Sequence, residues 1–209
     1  GMKLKDGFTL IELLVVIAII ALLLSILMPS LSIVKKKAQG VICLSNVSSL
    51  AKGWYAYSTA NDDKIVGGWT PLSPTARWPG PGNFPMSGWV CSPQSESGVS
   101  LSGGSEVAEE IIGITRGALY PYLNDPKVYH CPGDKRMKKP PVATYAGGRG
   151  GYRSYSVAGG MNGVNPNGNW GIIPYTKQTQ IRSADSKLIF LEEMDGRGYN
   201  MDSWVIRSA

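Results

Sequence analysis

Residues 8–28 read FTLIELLVVIAIIALLLSILM, an apolar run whose only charge is Glu12. At 1.5 Å per residue it spans ~32 Å, against a hydrocarbon core of ~30 Å, so it is long enough to cross a bilayer. A cleaved secretory signal has a shorter apolar core, ~7–15 residues, and a small-residue exit. Here the run passes into PSLSIVKKKAQG with no Ala-x-Ala-like exit. Glu12 lies one turn inside. A carboxylate costs ~2.5–3.5 kcal/mol at the centre of a membrane helix and less near its end. A plain anchor has no use for it, so Glu12 asks for a partner.

Without that run the chain is polar and rich in turn formers. Its 209 residues include 26 Gly and 14 Pro, charged residues make up 17%, and the formal net charge is +6. Three Phe stand beside ten Tyr and six Trp, an aromatic content weighted toward rings with a polar handle. This composition disfavours an all-helical bundle. No Gly-rich fingerprint opens a helix, which argues against a nucleotide-binding α/β enzyme.

Past Pro29 the apolar positions Leu31, Val34, Ala38, Val41 and Ile42, then Val47, Leu50, Ala51, Trp54 and Tyr55, recur at steps of three and four. That is a helical period. Asn61-Asp62-Asp63 and Gly67-Gly68 stop it. One helix is therefore predicted from about Phe8 to about Ala60, its first half in lipid and its second half a spine for a soluble domain. Residues 67–105, rich in Trp, Pro, Ser and Gly, read as a long loop-like insertion. Glu106–Ile114 suggests a short helix. Lys127–Cys131, Tyr152–Ala158, Trp170–Tyr175, Ser186–Glu192 and Ser203–Arg207 are strand candidates between Gly/Asn/Pro turns. The connections leave no room for crossover helices, so the sheet should be antiparallel.

The stretch Gly7-Phe8-Thr9-Leu10-Ile11-Glu12, with the apolar residues after it, resembles the N-terminus of type IV pilins and type II secretion pseudopilins. The resemblance implies that a prepilin peptidase cuts after Gly7 and N-methylates Phe8. It also implies that Glu12 meets a neighbouring subunit's N-terminal amine during assembly. Pairing a desolvated carboxylate with a desolvated ammonium removes two isolated buried charges. Pro29 resembles the kink proline of pilin helices. Cys43-Leu-Ser-Asn46, Leu119-Tyr-Pro-Tyr-Leu, Cys131-Pro-Gly-Asp134 and Tyr152-Arg-Ser-Tyr155-Ser are similar to a pseudopilin-like branch abundant in planctomycetes. That branch usually closes on a histidine and, nine residues later, Asp-Gly; nothing of that form follows His130, so the chain is expected to stop short of the closing strand or to lack it.

The implied organisation is a leader at 1–7, a transmembrane and assembly segment at 8–29, the exposed half of the helix at 30–60, and a head domain at 61–209. The fold class expected is α+β, a pilin-like lollipop whose long helix packs on a small antiparallel sheet with long loops. The implied function is a filament-forming subunit of a type II secretion pseudopilus or a type IV pilus-like fibre. Its partners would be the prepilin peptidase, the inner-membrane assembly platform, the membrane and further copies of itself. The subunit would be single-pass in the inner membrane with its head in the periplasm. The positive-inside rule objects: Lys35, Lys36 and Lys37 outnumber Lys3 and Lys5 across the run. The leader resemblance outweighs that rule.

No catalytic constellation is visible, and the protein is not expected to be an enzyme. His130 is the one histidine, there is no Gly-x-Ser-x-Gly elbow, and no two of the three cysteines have C-x-x-C spacing. Two clusters carry other chemistry. Lys127, Lys135, Arg136, Lys138, Lys139, Arg149 and Arg153, interleaved with tyrosines, would suit single-stranded nucleic acid. This supports the alternative reading of a minor pilin acting as an adhesin or DNA-binding subunit, though a solvated loop is the plainer account and nucleic acid is the less favoured partner. Asp195, Asn200 and Asp202 could form an oxygen cage for calcium, with a solvated turn as the alternative. For the cysteines, the resemblance favours Cys43 with Cys131, since strands of this fold pack on the helix. That pairing leaves Cys91 as the free thiol; Cys91 with Cys131 is the rival pairing, and no bridge at all is the third alternative.

Overall fold

The computed structural model describes residues 9–70, 88–99, 106–136, 151–162 and 174–193. The chain forms two compact units that divide between Val41 and Ile42. A single helix, α1 (Leu10–Ala60), contributes to both.

In the first unit the described side chains of α1 are exposed, apart from half-buried Gln39. Leu10, Leu22 and Leu31 are 80%, 64% and 68% exposed. The run of Leu, Ile, Val and Ala is apolar on every side, so no stripe is favoured for burial within the chain. Pro29 sits inside the helix and cannot donate to the ladder. Around it the hydroxyls of Ser25, Ser30 and Ser32 donate to the carbonyls of Leu22, Leu27 and Pro29 at 2.7, 2.8 and 3.0 Å. Each polar side chain is thereby satisfied by the helix itself, which hydrocarbon surroundings require.

In the second unit α1 becomes amphipathic. Leu50, Gly53, Trp54 and Ser58 are buried, and Cys43, Val47 and Tyr57 pack on the core from its edge. Tyr55, counted with the apolar face in the sequence, points outward at 57% exposure. The helix ends at Asn61–Asp63, where Asp62 and Asp63 take left-handed φ of 54° and 67°. Then follow α2 (Val107–Thr115), the one-turn α3 (Tyr120–Leu123), β1 (Tyr155–Val157) and β2 (Phe190–Glu192). β1 and β2 pair antiparallel, with Tyr155 opposite Glu192, Ser156 opposite Leu191 and Val157 opposite Phe190. The expected α+β class holds, with a sheet of two short strands among the described residues.

Two expectations are corrected. Lys127–Cys131 is not a strand: Pro126–Tyr129 form a 3₁₀ turn, because Asp125 caps the Lys127 amide at 2.9 Å and Pro126 fixes the first φ. Tyr152–Ala158 and Ser186–Glu192 shrink to β1 and β2, and Ala184–Ser186 is a 3₁₀ turn. Ser203–Arg207 and most of Trp170–Tyr175 lie outside the described residues. The 67–105 insertion holds no helix or strand among its described residues, as expected, yet its residues 88–94 run through the centre of the core, all buried. Trp89 is fully buried, with ring centroids 5.8 Å from Tyr129 and 5.3 Å from Phe190, and the Arg153 guanidinium lies 4.9 Å from its ring centre. Two glycines admit this segment. A Cβ on Gly113 would come within 2.5 Å of the Ser92 carbonyl oxygen, and one on Gly117 would collide with the Trp89 carbonyl.

Candidate processing and assembly segment

The first turn of α1 is built around Thr9 and Glu12. The Thr9 amide and hydroxyl donate to Glu12 Oε2 at 2.8 and 2.7 Å, and the Glu12 amide donates to Thr9 Oγ1 at 3.3 Å. This is a reciprocal capping box: three groups that would be orphaned at the start of a helix satisfy one another. In an apolar setting the arrangement also keeps the carboxylate hydrogen-bonded within its own helix turn. Residues 2–28 match the family described as Prokaryotic N-terminal methylation motif. The chain carries a prepilin-type N-terminus. Comparison with curated proteins and with solved structures gave no match.

The methylation motif thus occupies the leader and the apolar part of α1, and it is of the kind found on type IV pilin-like substrates of prepilin peptidase. Gly7 and Phe8 lie outside the described residues. Thr9 is the contributor that sequence reading missed, although Thr-x-x-Glu before an apolar run is a legible cap signature.

In the second unit, α1 is fastened to the residues after the 3₁₀ turn. Cys43 and Cys131 form a disulfide with Cα atoms 5.2 Å apart, closing a sequence separation of 88. One turn along, Asn46 Nδ2 donates to the His130 carbonyl at 2.8 Å. The Tyr155 hydroxyl donates to the Cys43 carbonyl at 3.4 Å. Adjacent residues 130 and 131 are therefore held by two side chains on one face of the helix. The Glu192 carboxylate lies within 4.8 Å of both sulfurs, which are bonded to each other and so are not a metal-ligand pair. Cys91 is a buried free thiol whose pKa is pushed up to about 11 by burial, against the pull of Arg116.

The Cys131-Pro-Gly-Asp134 turn organises a second network. Asp134 Oδ2 accepts from Arg136 Nη2 at 2.7 Å and from the Ser154 hydroxyl at 2.7 Å, while Ser154 Oγ accepts the Cys131 amide at 3.0 Å. Burial pushes the Asp134 carboxyl up, but the hydrogen bonds and charge of Arg136, with Ser154, outweigh it and hold the group below its usual range. His130, Ser154 and Asp134 are neighbours, yet not in a nucleophilic arrangement. The Ser154 proton points at Asp134, His130 Nδ1 lies 2.7 Å from the Tyr152 carbonyl, and Ser154 is fully buried. A triad needs the base on the serine and the acid on the base.

Of the basic cluster, Arg136 and Arg153 are each 4% exposed. Arg136 pairs with Asp134 and donates to the Arg153 carbonyl, and Arg153 covers Trp89, so neither can face a polyanion. Lys127 and Lys135 are exposed; Lys138, Lys139 and Arg149 lie outside the described residues, as do Asp195, Asn200 and Asp202. Glu110, unnoticed in the sequence, is a structural carboxylate. It accepts the amides of Gly151, Tyr152 and Arg153, the last two at 2.8 and 3.4 Å, and so sets the entry to β1. Burial raises its pKa more than these donors and Arg153 lower it. A water-sized cavity lies beside it, lined by Thr70, Cys91, Pro93, Ile114 and Arg153.

Proposed function

We propose that the chain is a filament-forming pilin- or pseudopilin-like subunit, with a mechanical rather than a catalytic role. The prepilin peptidase removes residues 1–7, Phe8 becomes the methylated N-terminus, and the apolar half of α1 passes from the inner membrane into a helical filament. The assembly platform and other copies of the chain are its partners, and the head faces the periplasm. The observation that carries this reading is Glu12: a carboxylate inside an apolar helix, within the methylation motif, hydrogen-bonded to Thr9 and with no ion pair among the described residues. A neighbour's N-terminal ammonium supplies the missing charge.

Intact-mass measurement of the chain co-expressed with a prepilin peptidase tests it. The expected product begins at N-methyl-Phe8. An uncleaved mature protein, or a cut beyond Ala38, would overturn the reading. Gly7 replaced by Leu should block the cut, since only glycine lets a protease draw the backbone close without a side chain.

A further inference from the structure

Between Leu13 and Asn61 the sequence contains no Asp or Glu, and its only charges are Lys35, Lys36, Lys37 and Lys52. The first three directly follow Ile33 and Val34, and all three are exposed on α1. Consecutive helical residues are set about 100° apart, so the three ammoniums sweep about 200° of the circumference. That is a collar rather than a face. A docking surface for one protein partner would place its charges at steps of three and four, on one side. A planar sheet of anions surrounding the helix is met by a collar.

The dimensions agree. Leu10 to Val34 is 25 residues, ~38 Å of helix, against ~30 Å of hydrocarbon and ~40–45 Å including headgroups. Lysine stems can lie along the apolar surface while their ammoniums reach the interface. We propose that Lys35–Lys37 bind anionic phospholipid headgroups in the leaflet at the C-terminal end of the apolar run, and so set the depth at which the helix rests. Glu12 lies ~35 Å along the axis from Lys35, which puts it at the opposite edge of the hydrocarbon, where a carboxylate is cheapest. The collar also accounts for lysines on the side that the positive-inside rule disfavours: they are lipid ligands rather than topology signals.

The inference rests on the membrane-spanning reading, and the test separates the two. The full chain is reconstituted into phosphatidylcholine vesicles with a minor share of phosphatidylglycerol, purified in mild detergent, and its retained lipid measured by mass spectrometry. Each lysine at an anionic surface is worth about fivefold in partition, so phosphatidylglycerol should be retained well above its share. Lys35→Gln/Lys36→Gln/Lys37→Gln should bring retention down to that share. The corresponding triple Arg variant and Lys127→Gln/Lys187→Gln should keep it high. Circular dichroism and the closed disulfide confirm folding in each variant. Unchanged enrichment in the triple Gln protein, with the chain still resistant to alkaline extraction, would overturn the collar alone. Release of the wild-type chain by alkaline extraction would overturn the spanning reading and the collar with it. Loss of the lipid to millimolar inorganic phosphate but not to equal ionic strength of chloride would show a phosphate site instead, and would also overturn the proposal.

Discussion

The two halves of α1 are one helix with two chemistries. From Leu10 to Val41 apolar side chains point in every direction and stay exposed. From Ile42 to Ala60 they form a stripe, with Leu50, Gly53 and Trp54 buried while Lys52, Tyr55 and Thr59 face out. A helix that its own chain covers needs only a stripe; a helix apolar all round must be covered by something else, lipid or other subunits. The contrast separates what the chain does for itself from what it needs from its surroundings.

The largest effect is expected at Glu12. Glu12→Val should leave processing and insertion intact and ease insertion somewhat, because a costly polar group leaves the hydrocarbon. Assembly should be abolished, since the neighbouring amine would be buried without its counter-charge. Electron microscopy and sedimentation of sheared filaments give the yield; a normal yield would break the proposed pairing. Folding of the second unit should not change, because Glu12 lies in the first unit.

The opposite selectivity is expected for the disulfide. Replacing Cys43 and Cys131 by Ser should lower the stability of the second unit by ~4–5 kcal/mol on the chain-entropy estimate for an 88-residue separation. Denaturant unfolding of the full chain in detergent, followed by the buried tryptophans, reads this. The apolar half should keep its helical signal throughout. A loss below ~1 kcal/mol would show that Asn46 and the core hold the helix without covalent help.

Asp134→Asn comes next. Breaking a buried ion pair by removing one partner costs ~3–5 kcal/mol, and here the Arg136 guanidinium would be left behind. The pH dependence gives a sharper reading. Asp134 titrates below its ordinary value in the folded chain, so its stabilisation is present above the unfolded value and is lost as pH falls through the folded one. Glu110 titrates above its ordinary value, so its contribution is present at low pH and is lost as pH rises through the folded value. The two oppose each other. The variant should lose the destabilisation on acidification that Asp134 causes and expose the Glu110 limb; an unchanged acid profile would refute the assignment.

How much of this was legible follows the range of each interaction. The long helix, its end at Asn61–Asp63 and α2 rest on local periodicity and turn chemistry, and these read directly. The Thr9–Glu12 box is also local and could have been read from its spacing. Lys127–Cys131 shows local signals in conflict: Val128, Tyr129 and Cys131 suggest a strand, but the Asp125-Pro126 start signal wins. The central position of Trp89 was not legible. It depends on Gly113 and Gly117 admitting a backbone from a distant segment, and a glycine does not announce what it makes room for. The same holds for Arg136 and Arg153, whose charge suggested a surface until Asp134 and Trp89 were seen to hold them inside.

The smallest effect is expected at Asn46, and it says most about how the helix is fastened. Asn46→Ala removes a neutral donor to the His130 carbonyl, a loss of ~1 kcal/mol by the usual value of such a bond. Cys43 and Asn46 stand one turn apart and hold consecutive residues, so their contributions should not be independent. With the disulfide closed, His130 is kept at the amide and the bond contributes fully. With the disulfide removed, residues 130–131 can move away from the helix in the folded ensemble, and the amide has less to lose. The double variant should therefore be less destabilised than the sum of the singles, by ~0.5–1 kcal/mol, a coupling typical of groups that share a partner segment. Additive losses would mean that the 3₁₀ turn and the Asp134 network position residue 130 by themselves, and that the disulfide secures the helix without orienting what it meets.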